Sequence, residues 1–569
     1  MNFGDIMYCC FTGHRPEHLP WMKDEESDRT KELKKTLSHV IDIAIEDGYT
    51  DFYCGMARGI DTFAAEILIE KAQKNENICL HAALPCPEQS MAWAESDKER
   101  FEKILRFAAT KTIISPMYTD TCMLARNRFM VDNSQRVIAV WNGFFRGGTA
   151  YTVRYAKKEK KEIHLIRPKD FSVSILEGGN KMLNFTYYTP TKVHFGKDTH
   201  KEVGKIIKDY GFKTIMMQYG QSSIKKSGLY DEVMASLSEN GINVIEMGGV
   251  EPNPKLSFVK EAVKVAKENN VEMILAVGGG SVIDSSKYTA TGVKYDGDPW
   301  DFPTKKAVPT DGLPIGCILT ISAAGSEMSS SAVITNMELN MKRGYNSDFN
   351  RPLFAICNPE LTYSVSEYQT ACGIVDIMSH TMERYFTVCE PTDLTDRIAE
   401  SILKSVIGAG KALMENPRDY EARATMMWAS SLSHNDLTGC GRENALAVHQ
   451  LEHALSGEFD FIAHGAGLSV LFPAWGRYIY KYNIPRFAQF ARRVWDVTEA
   501  DDEKAAIMGI EKMADFFKSI KMPLTLREFE IENVADKLAD LCTFGKKRTV
   551  KSYVELDYDK IKEIFESCY

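Results

Sequence analysis

The chain has 569 residues, of which 44% are hydrophobic and 26% charged, with a formal net charge of −9. That length exceeds a single ordinary core and implies two to four domains of a globular protein. The acidic balance excludes a general binder of the nucleic-acid backbone, and no apolar run reaches the roughly 20 residues that span a bilayer. The N-terminus, MNFGDIMYCCFTGHRPEHLP, lacks a basic stretch followed by an apolar one, so a cytoplasmic protein is expected. Thirteen cysteines, spread from Cys9 to Cys568 without a CxxC pair, read as small buried hydrophobes in a reducing compartment.

In chain order, MYCCFTG, DFYCGMA, ICLHAALP, KTIISP and RVIAVWNG read as strands, with helical patterns over 29–47, 61–74, 96–109 and 123–134. This alternation predicts a Rossmann-like α/β domain over 1–166, a parallel sheet covered by helices. RPKDFSVSILEGGNKMLN breaks the pattern with Pro, Ser and a Gly-Gly-Asn turn, which makes 167–181 the expected linker. A second α/β domain is expected over 182–363, with KTIMMQYG, INVIEMGG, EMILAVGGG and LPIGCILTI as strands. From Ser366 the segments SEYQTACGIVDIMSHTMERYF and LTDRIAESILKSVIGAGKALM carry apolar residues at three- and four-residue spacing, and 364–569 is expected to be helical. No internal repeat or low-complexity tract interrupts the chain.

Four late residues carry the clearest chemistry. Asp376 and His380 stand four apart in GIVDIMSHTMERYF, so both side chains lie on one helical face and can reach one ion. His449 opens HQLEHALSGEFDFIAHG, and His464 stands in it just before Gly465. One carboxylate and three imidazoles suit a borderline divalent cation, Fe²⁺ or Zn²⁺, with a position left for substrate. His453, one helical turn beyond His449, competes with it for the same place. Upstream, VEMILAVGGGSVIDSSK runs from an apolar strand into Gly278-Gly279-Gly280-Ser281 and a helical pattern. Backbone N–H groups at such a helix start can hold a pyrophosphate, although glycines also serve tight turns alone. Asp284 can equally be a carboxylate that satisfies the helix start.

Residues 182–569 resemble the iron-containing alcohol dehydrogenases, particularly their butanol dehydrogenase and NADPH-dependent aldehyde reductase branch. The matching stretches are YGQSSIKKSGLYDEV, AVGGGSVIDSSK, GDPWDF, ISAAGSEMSSSAVIT, NPELTYS, GIVDIMSHTMERYF, HQLEHALSG, AHGAGLSVLFPAW and LREFEI, in that order. The resemblance implies a dehydroquinate synthase-like fold, an α/β dinucleotide-binding domain followed by an all-helical metal-binding domain, with the active site in the cleft between them. It implies metal ligation by Asp376, His380, His449 and His464, and leaves His453 as a proton-relay or substrate-facing residue. It implies a coenzyme site of Gly220, Gln221, Ser222, Ser223, Gly278, Gly279, Gly280, Ser281, Asp284, Thr320 and Lys342.

The implied reaction is hydride transfer between NADP(H) and a primary alcohol or aldehyde of butanol type, in a homo-oligomer, a dimer. NADP(H) is favoured over NAD(H) because the first βα turn, Gly220-Gln221-Ser222-Ser223, lacks a carboxylate. Lys225 and Lys226 follow closely, and Lys342 aligns with a lysine that the reductase branch uses near the coenzyme. Two other readings stand beside this one: a glycerol dehydrogenase- or dehydroquinate synthase-like enzyme on the same fold, and a regulatory nucleotide-binding protein with an inactive dehydrogenase half. HQLEHALSG and GDPWDF favour the alcohol branch, and the full ligand set argues against decay.

Residues 7–166 resemble the SLOG superfamily through CCFTGHRP, YCGMARGIDTFAAEI and VIAVWNGFFRGGTAYTVRYA. Gly13, Gly55, Gly59, Gly147, Gly148 and Thr149 fall at strand ends where a phosphate can be cradled, with Arg15 and Arg58 to neutralise it. The alternative is that these glycines only permit tight turns. No Asp/His/Ser constellation marks a catalyst, so a domain that senses a nucleotide-derived ligand is expected rather than a second enzyme.

Overall fold

In the computed structural model all residues are described except 1–5, 76, 144–146, 177–181, 340, 388–391 and 444. The chain divides into two compact units, Met1–Lys181 and Met182–Tyr569.

The first unit alternates β1 (Tyr8–Gly13), α1 (Asp28–Glu46), β2 (Asp51–Cys54), α2 (Ile60–Ala72), β3 (Cys79–Leu84), α3 (Glu95–Phe107), β4 (Thr110–Ile113), α4 (Cys122–Asp132), β5 (Arg136–Val140), α5 (Gly148–Lys158), β6 (Glu162–Ile166) and β7 (Val173–Leu176). Its sheet runs β4-β3-β2-β1-β5-β6-β7. Cys9, Cys10 and Phe11 of β1 and Val137, Ile138, Ala139 and Val140 of β5 are fully buried, because helices cover both faces of a parallel sheet. On α1 the Ser27 side chain caps the first turn by accepting from the Thr30 N–H, and Leu33, Leu37, Val40, Ile41 and Ala44 recur every three or four residues on the buried side.

The segment 167–181 is not simply a linker, since it contains a strand. β7 falls inside the expected linker 167–181, and it pairs antiparallel with β6 from Ile163↔Leu176 to Ile166↔Val173. The open edge of β6 offered unpaired N–H and C=O groups, which the following chain satisfies. The Gly178-Gly179-Asn180 turn expected there lies outside the described residues.

The second unit begins with β8 (Lys192–Phe195), α6 (Val203–Asp209), β9 (Thr214–Tyr219), α7 (Ser223–Lys226), α8 (Leu229–Glu239), β10 (Asn243–Gly248), α9 (Leu256–Glu268), β11 (Met273–Gly278), α10 (Gly280–Val293), β12 (Ile315–Leu319), a hairpin of β13 (Ser331–Asn336) and β14 (Met341–Asn346), and β15 (Phe354–Cys357). Six strands form a parallel sheet, β10-β9-β11-β12-β15-β8. Helices follow: α11 (Glu367–Tyr385), α12 (Asp393–Glu415), α13 (Tyr420–His434), α14 (Ala447–Glu458), α15 (His464–Ile479), α16 (Ile484–Val494), α17 (Asp502–Ser519), α18 (Ala535–Thr543) and α19 (Tyr558–Glu566). One apolar cluster joins them, with Ile374, Leu451, Leu471, Phe472, Trp475 and Phe487 among its buried members.

α11 is buried along most of its length, Thr370 to Tyr385 included. Two glycines let its neighbours touch its backbone. A Cβ on Gly465 would lie 2.2 Å from the Cys372 carbonyl oxygen, and one on Gly373 would lie 2.3 Å from that of Ser322. The start of the second unit departs from its expected place in the nucleotide-binding part. The Leu183 N–H donates to Gly441 O, and Thr189 Oγ1 to Asn435 O, so this stretch is fastened to the helical part. No described helix is long and apolar enough to cross a membrane. The described cysteines are all free, and most are buried.

Candidate metal and coenzyme site

Ser366 caps α11 by accepting from the Gln369 N–H, and the helix so begun presents Asp376 and His380 one turn apart. His380 Nδ1 lies 3.2 Å from Asp376 Oδ1. α14 and α15 supply the other two imidazoles: His449 Nε2 and His464 Nε2 each stand 3.8 Å from the same carboxylate oxygen. The ligating atoms of Asp376, His380 and His449 lie within 4.8 Å of one another. Asp376 Oδ1, His380 Nδ1 and His449 Nε2 are buried and have no hydrogen-bond partner. Three such atoms facing one point would be costly in a dry interior unless a cation satisfies them. His453 turns elsewhere. Its ring stands 5.8 Å from that of His464, and one of its nitrogens groups with Glu452 and His464.

Glu383, not singled out from the sequence, accepts both the backbone N–H of His449 at 2.8 Å and its Nδ1–H at 3.2 Å. One carboxylate therefore satisfies an orphan N–H in the first turn of α14 and directs Nε2 toward Asp376. Glu383 lies seven residues after Asp376, a same-face spacing visible in the sequence. Glu452, three residues after His449, is in ion-pair contact with His464 Nδ1. His434 was also missed and has no sequence signal. Its ring packs 4.1 Å from that of His380, and its Nδ1 is bonded to Arg384 Nη2.

The electrostatics differ sharply along this row. Burial, then the neighbouring His434 and His449, hold His380 well below the ordinary imidazole range. Burial and the Lys342 charge hold His453 well below it too. Burial also acts to lower His449, yet the carboxylates of Asp376 and Glu383 beside it carry it up to about 9. In the absence of a cation, a proton on His449 supplies positive charge to these carboxylates.

The coenzyme-side turns lie at the C-terminal ends of β9 and β11, adjacent parallel strands where the strand order reverses. Such a switch point is where open α/β sheets bind ligands. Gly220 to Ser223 follow β9. Gly278 ends β11, Gly279 caps α10, and Gly280 and Ser281 start that helix. The Thr320 N–H donates to Gly278 O. A Cβ on Gly279 would lie 2.2 Å from Ile321 Cγ2, so packing against the next loop also requires glycine there.

Two expected coenzyme residues have other partners. Asp284 accepts from Ser326 Oγ at 2.6 Å and from the Val333 N–H at 2.9 Å, which ties α10 to β13. Lys342 donates to Ser456 Oγ at 3.1 Å and lies 3.9 Å from Glu452 Oε2, so its polar contacts are on α14 and not in the Gly220 turn. In that turn Lys225 Nζ lies over the rings of Tyr219 and Tyr230. The Tyr219 hydroxyl donates to Glu246, an acidic residue on the neighbouring strand that the turn sequence does not reveal.

In the first unit the strand order reverses between β1 and β5. A cavity of about 360 Å³ opens there, lined by Gly13, Arg15, Gly147, Gly148 and Thr149 among others. Gly147, at φ 100°, caps α5, and Thr149 Oγ1 donates to Gly13 O. Asp61 and Arg126, both buried, line the same cavity and were missed. The other expected residues lie elsewhere. Arg58 and Gly59 border a second cavity of about 350 Å³ beside Trp93, where Arg58 is paired with Glu17 and Asp97. The Gly55 carbonyl is taken by Arg126 and Gln89.

The iron-containing alcohol dehydrogenase family model matches residues 190–359, and the C-terminal model of the Fe-containing alcohol dehydrogenase family matches 370–569. The YspA SLOG family model matches 9–171. Over 391 residues the chain is 42% identical to NADH-dependent butanol dehydrogenase A of Clostridium acetobutylicum, a match covering 68% of this chain and 100% of that one. It is 34% identical over 354 residues to the NADPH-dependent aldehyde reductase YqhD of Escherichia coli, covering 62% of this chain and 90% of that one. The crystal structure of NADH-dependent butanol dehydrogenase A from Thermotoga maritima matches with a TM-score of 0.67 at 38% identity, covering 68% of this chain and 99% of that one. The chain therefore belongs to the iron-containing alcohol dehydrogenase family, and its N-terminal part is a SLOG domain.

Proposed function

We propose that residues 182–569 form a metal-dependent alcohol dehydrogenase and aldehyde reductase, moving hydride between NADP(H) and a primary alcohol or aldehyde of butanol type. The observation that carries this reading is the convergence of Asp376 Oδ1, His380 Nδ1 and His449 Nε2, buried and without hydrogen-bond partners. With His464 they hold a divalent cation, Fe²⁺ as the family name implies, or Zn²⁺. Bound there, the cation supplies Lewis acidity toward a substrate oxygen.

The remaining work falls to the chain. Glu383 keeps the His449 proton on Nδ1 and so leaves the Nε2 lone pair available. His453, kept neutral by burial, gives or takes the hydroxyl proton. The turns after β9 and β11 orient the coenzyme, whose nicotinamide carries the hydride. Support for NADP(H) is the absence of a carboxylate in the Gly220 turn together with Lys225 and Lys226. Glu246, bonded to Tyr219 beside Lys225, favours the NADH reading, as do the butanol dehydrogenases named for NADH.

For the first unit we propose an anionic, nucleotide-derived ligand at the reversal between β1 and β5. The cavity there, Arg15 and the start of α5 support it.

The dehydrogenase reading is tested by two alanine variants. His464→Ala should lose metal and turnover together. His453→Ala should keep the metal and lose roughly 10² to 10⁴-fold in rate. Full activity in a metal-free His464→Ala protein would overturn the reading.

A further inference from the structure

We infer that Glu452 is the positioning residue for His464 and that Lys342 is its counter-charge; this rests on the metal site proposed above. The Glu452 side chain is fully buried on α14, and its carboxylate is in contact with His464 Nδ1. Neither Glu452 oxygen, nor His464 Nδ1, has a hydrogen-bond partner elsewhere. A carboxylate buried with no other donor depends on that contact.

The arrangement repeats the one at Glu383. In both cases a buried glutamate takes the Nδ1 side of an imidazole, and in both the Nε2 atom stands 3.8 Å from Asp376 Oδ1. Fixing Nδ1–H on the carboxylate selects the tautomer with its lone pair on Nε2 and stops the ring from turning. His464 needs this more than His449. It is the first residue of α15, and its side chain is 27% exposed against 7% for His449. Two further features suit the assignment. Lys342 Nζ, 3.9 Å from Glu452 Oε2 and anchored on Ser456 Oγ, balances the carboxylate in a dry interior. Gly467 on α15 leaves room for it, since a Cβ there would lie 3.0 Å from Glu452 Cγ.

The nitrogen atoms of His453 and His464 and a Glu452 oxygen also lie within 4.8 Å of one another, which a second cation could exploit. The Lys342 ammonium beside Glu452 opposes that occupant.

The test uses the full-length protein, stripped by chelator and titrated with Co²⁺ while heat and the visible d–d spectrum are recorded. Glu452→Ala should bind Co²⁺ about 10- to 100-fold more weakly. Glu452→Gln keeps an acceptor oxygen without the charge, and should recover part of that loss, falling only about 3- to 10-fold below wild type. NADPH affinity of the metal-free variants should match wild type. Should the alanine variant fail to fold, the glutamine variant decides. Wild-type Co²⁺ affinity and spectrum in the folded variants would overturn the inference, as would two Co²⁺ per wild-type chain. Lost NADPH affinity at unchanged Co²⁺ affinity would also overturn it, by showing that Glu452 serves the coenzyme through Lys342. If the wild-type protein binds no Co²⁺ at all, the metal site itself falls.

Discussion

Gly465→Ala should disable the metal centre without touching a ligand. Gly465 follows His464 in the first turn of α15, and the added methyl would meet Cys372 O at 2.2 Å, Cys372 Cα at 2.6 Å and Cys372 C at 2.7 Å. All three are backbone atoms of α11, so no rotamer change relieves the clash. Non-bonded heavy atoms sit about 3.5 Å apart, and α15 must therefore retreat by roughly 1 Å. That retreat starts at the residue next to His464 and widens its 3.8 Å gap to Asp376 Oδ1. A displacement of about 1 Å costs on the order of 10²-fold in rate, and overpacking of this kind costs about 1–3 kcal/mol in stability. Metal content per chain, aldehyde-dependent NADPH oxidation and thermal unfolding measure the three effects. Gly408→Ala is the control. It lies on the exposed side of α12 with nothing within 4 Å of its would-be Cβ, and should be neutral or stabilising by about 0.5–1 kcal/mol. Metal content and rate within twofold of wild type in Gly465→Ala would refute the reasoning.

Three further outcomes are expected. NADPH should give a higher kcat/KM than NADH, and Ser222→Asp should shift preference toward NADH by repelling the 2′-phosphate; equal use of both coenzymes by the wild-type protein refutes this. In metal-free protein His449, raised to about 9, contributes stability that is fully present below about pH 6.5 and is lost as pH rises through 9. Because ligation needs the neutral imidazole, metal binding should release a proton at pH 7 and tighten up to tenfold per pH unit toward 9; calorimetry in buffers of different ionisation heat reads the proton, and an affinity flat from pH 7 to 9 refutes the link. The fragment 1–181, which includes β7, should fold and bind a nucleotide-type anion, with Arg15→Ala weakening it. Calorimetry against a nucleotide panel with no heat for any member would remove that ligand class.

Local geometry was legible in the residues themselves. A spacing of four on an apolar helix places Asp376 and His380 on one face whatever surrounds them, because α-helical period is a property of the backbone. The apolar runs that became β1, β5, β9 and β11 were legible for a related reason: strands covered on both faces need apolar residues throughout. The mostly helical character of the chain beyond Ser366 followed from its three- and four-residue spacing in the same way.

Partnership across the chain was not legible, since it depends on which elements pack together. Lys342 and Asp284 were assigned to the coenzyme by resemblance, and only the packing of α10, α14 and the β13–β14 hairpin shows that their protein partners are Ser456 for the one and Ser326 and the Val333 amide for the other. Glu246 reached the Gly220 turn because β10 pairs with β9. Residues 173–176 looked like linker until the free edge of β6 paired with them. The approach of α15 to α11, and with it the distance from His464 to Asp376, required a glycine at 465 whose purpose shows only against Cys372. Which residues could share a face or end a strand follows from chain order and residue type alone. Which carboxylate orients which histidine depends on the packed fold, because side-chain hydrogen bonding in a buried site is set by close packing between elements far apart in the chain.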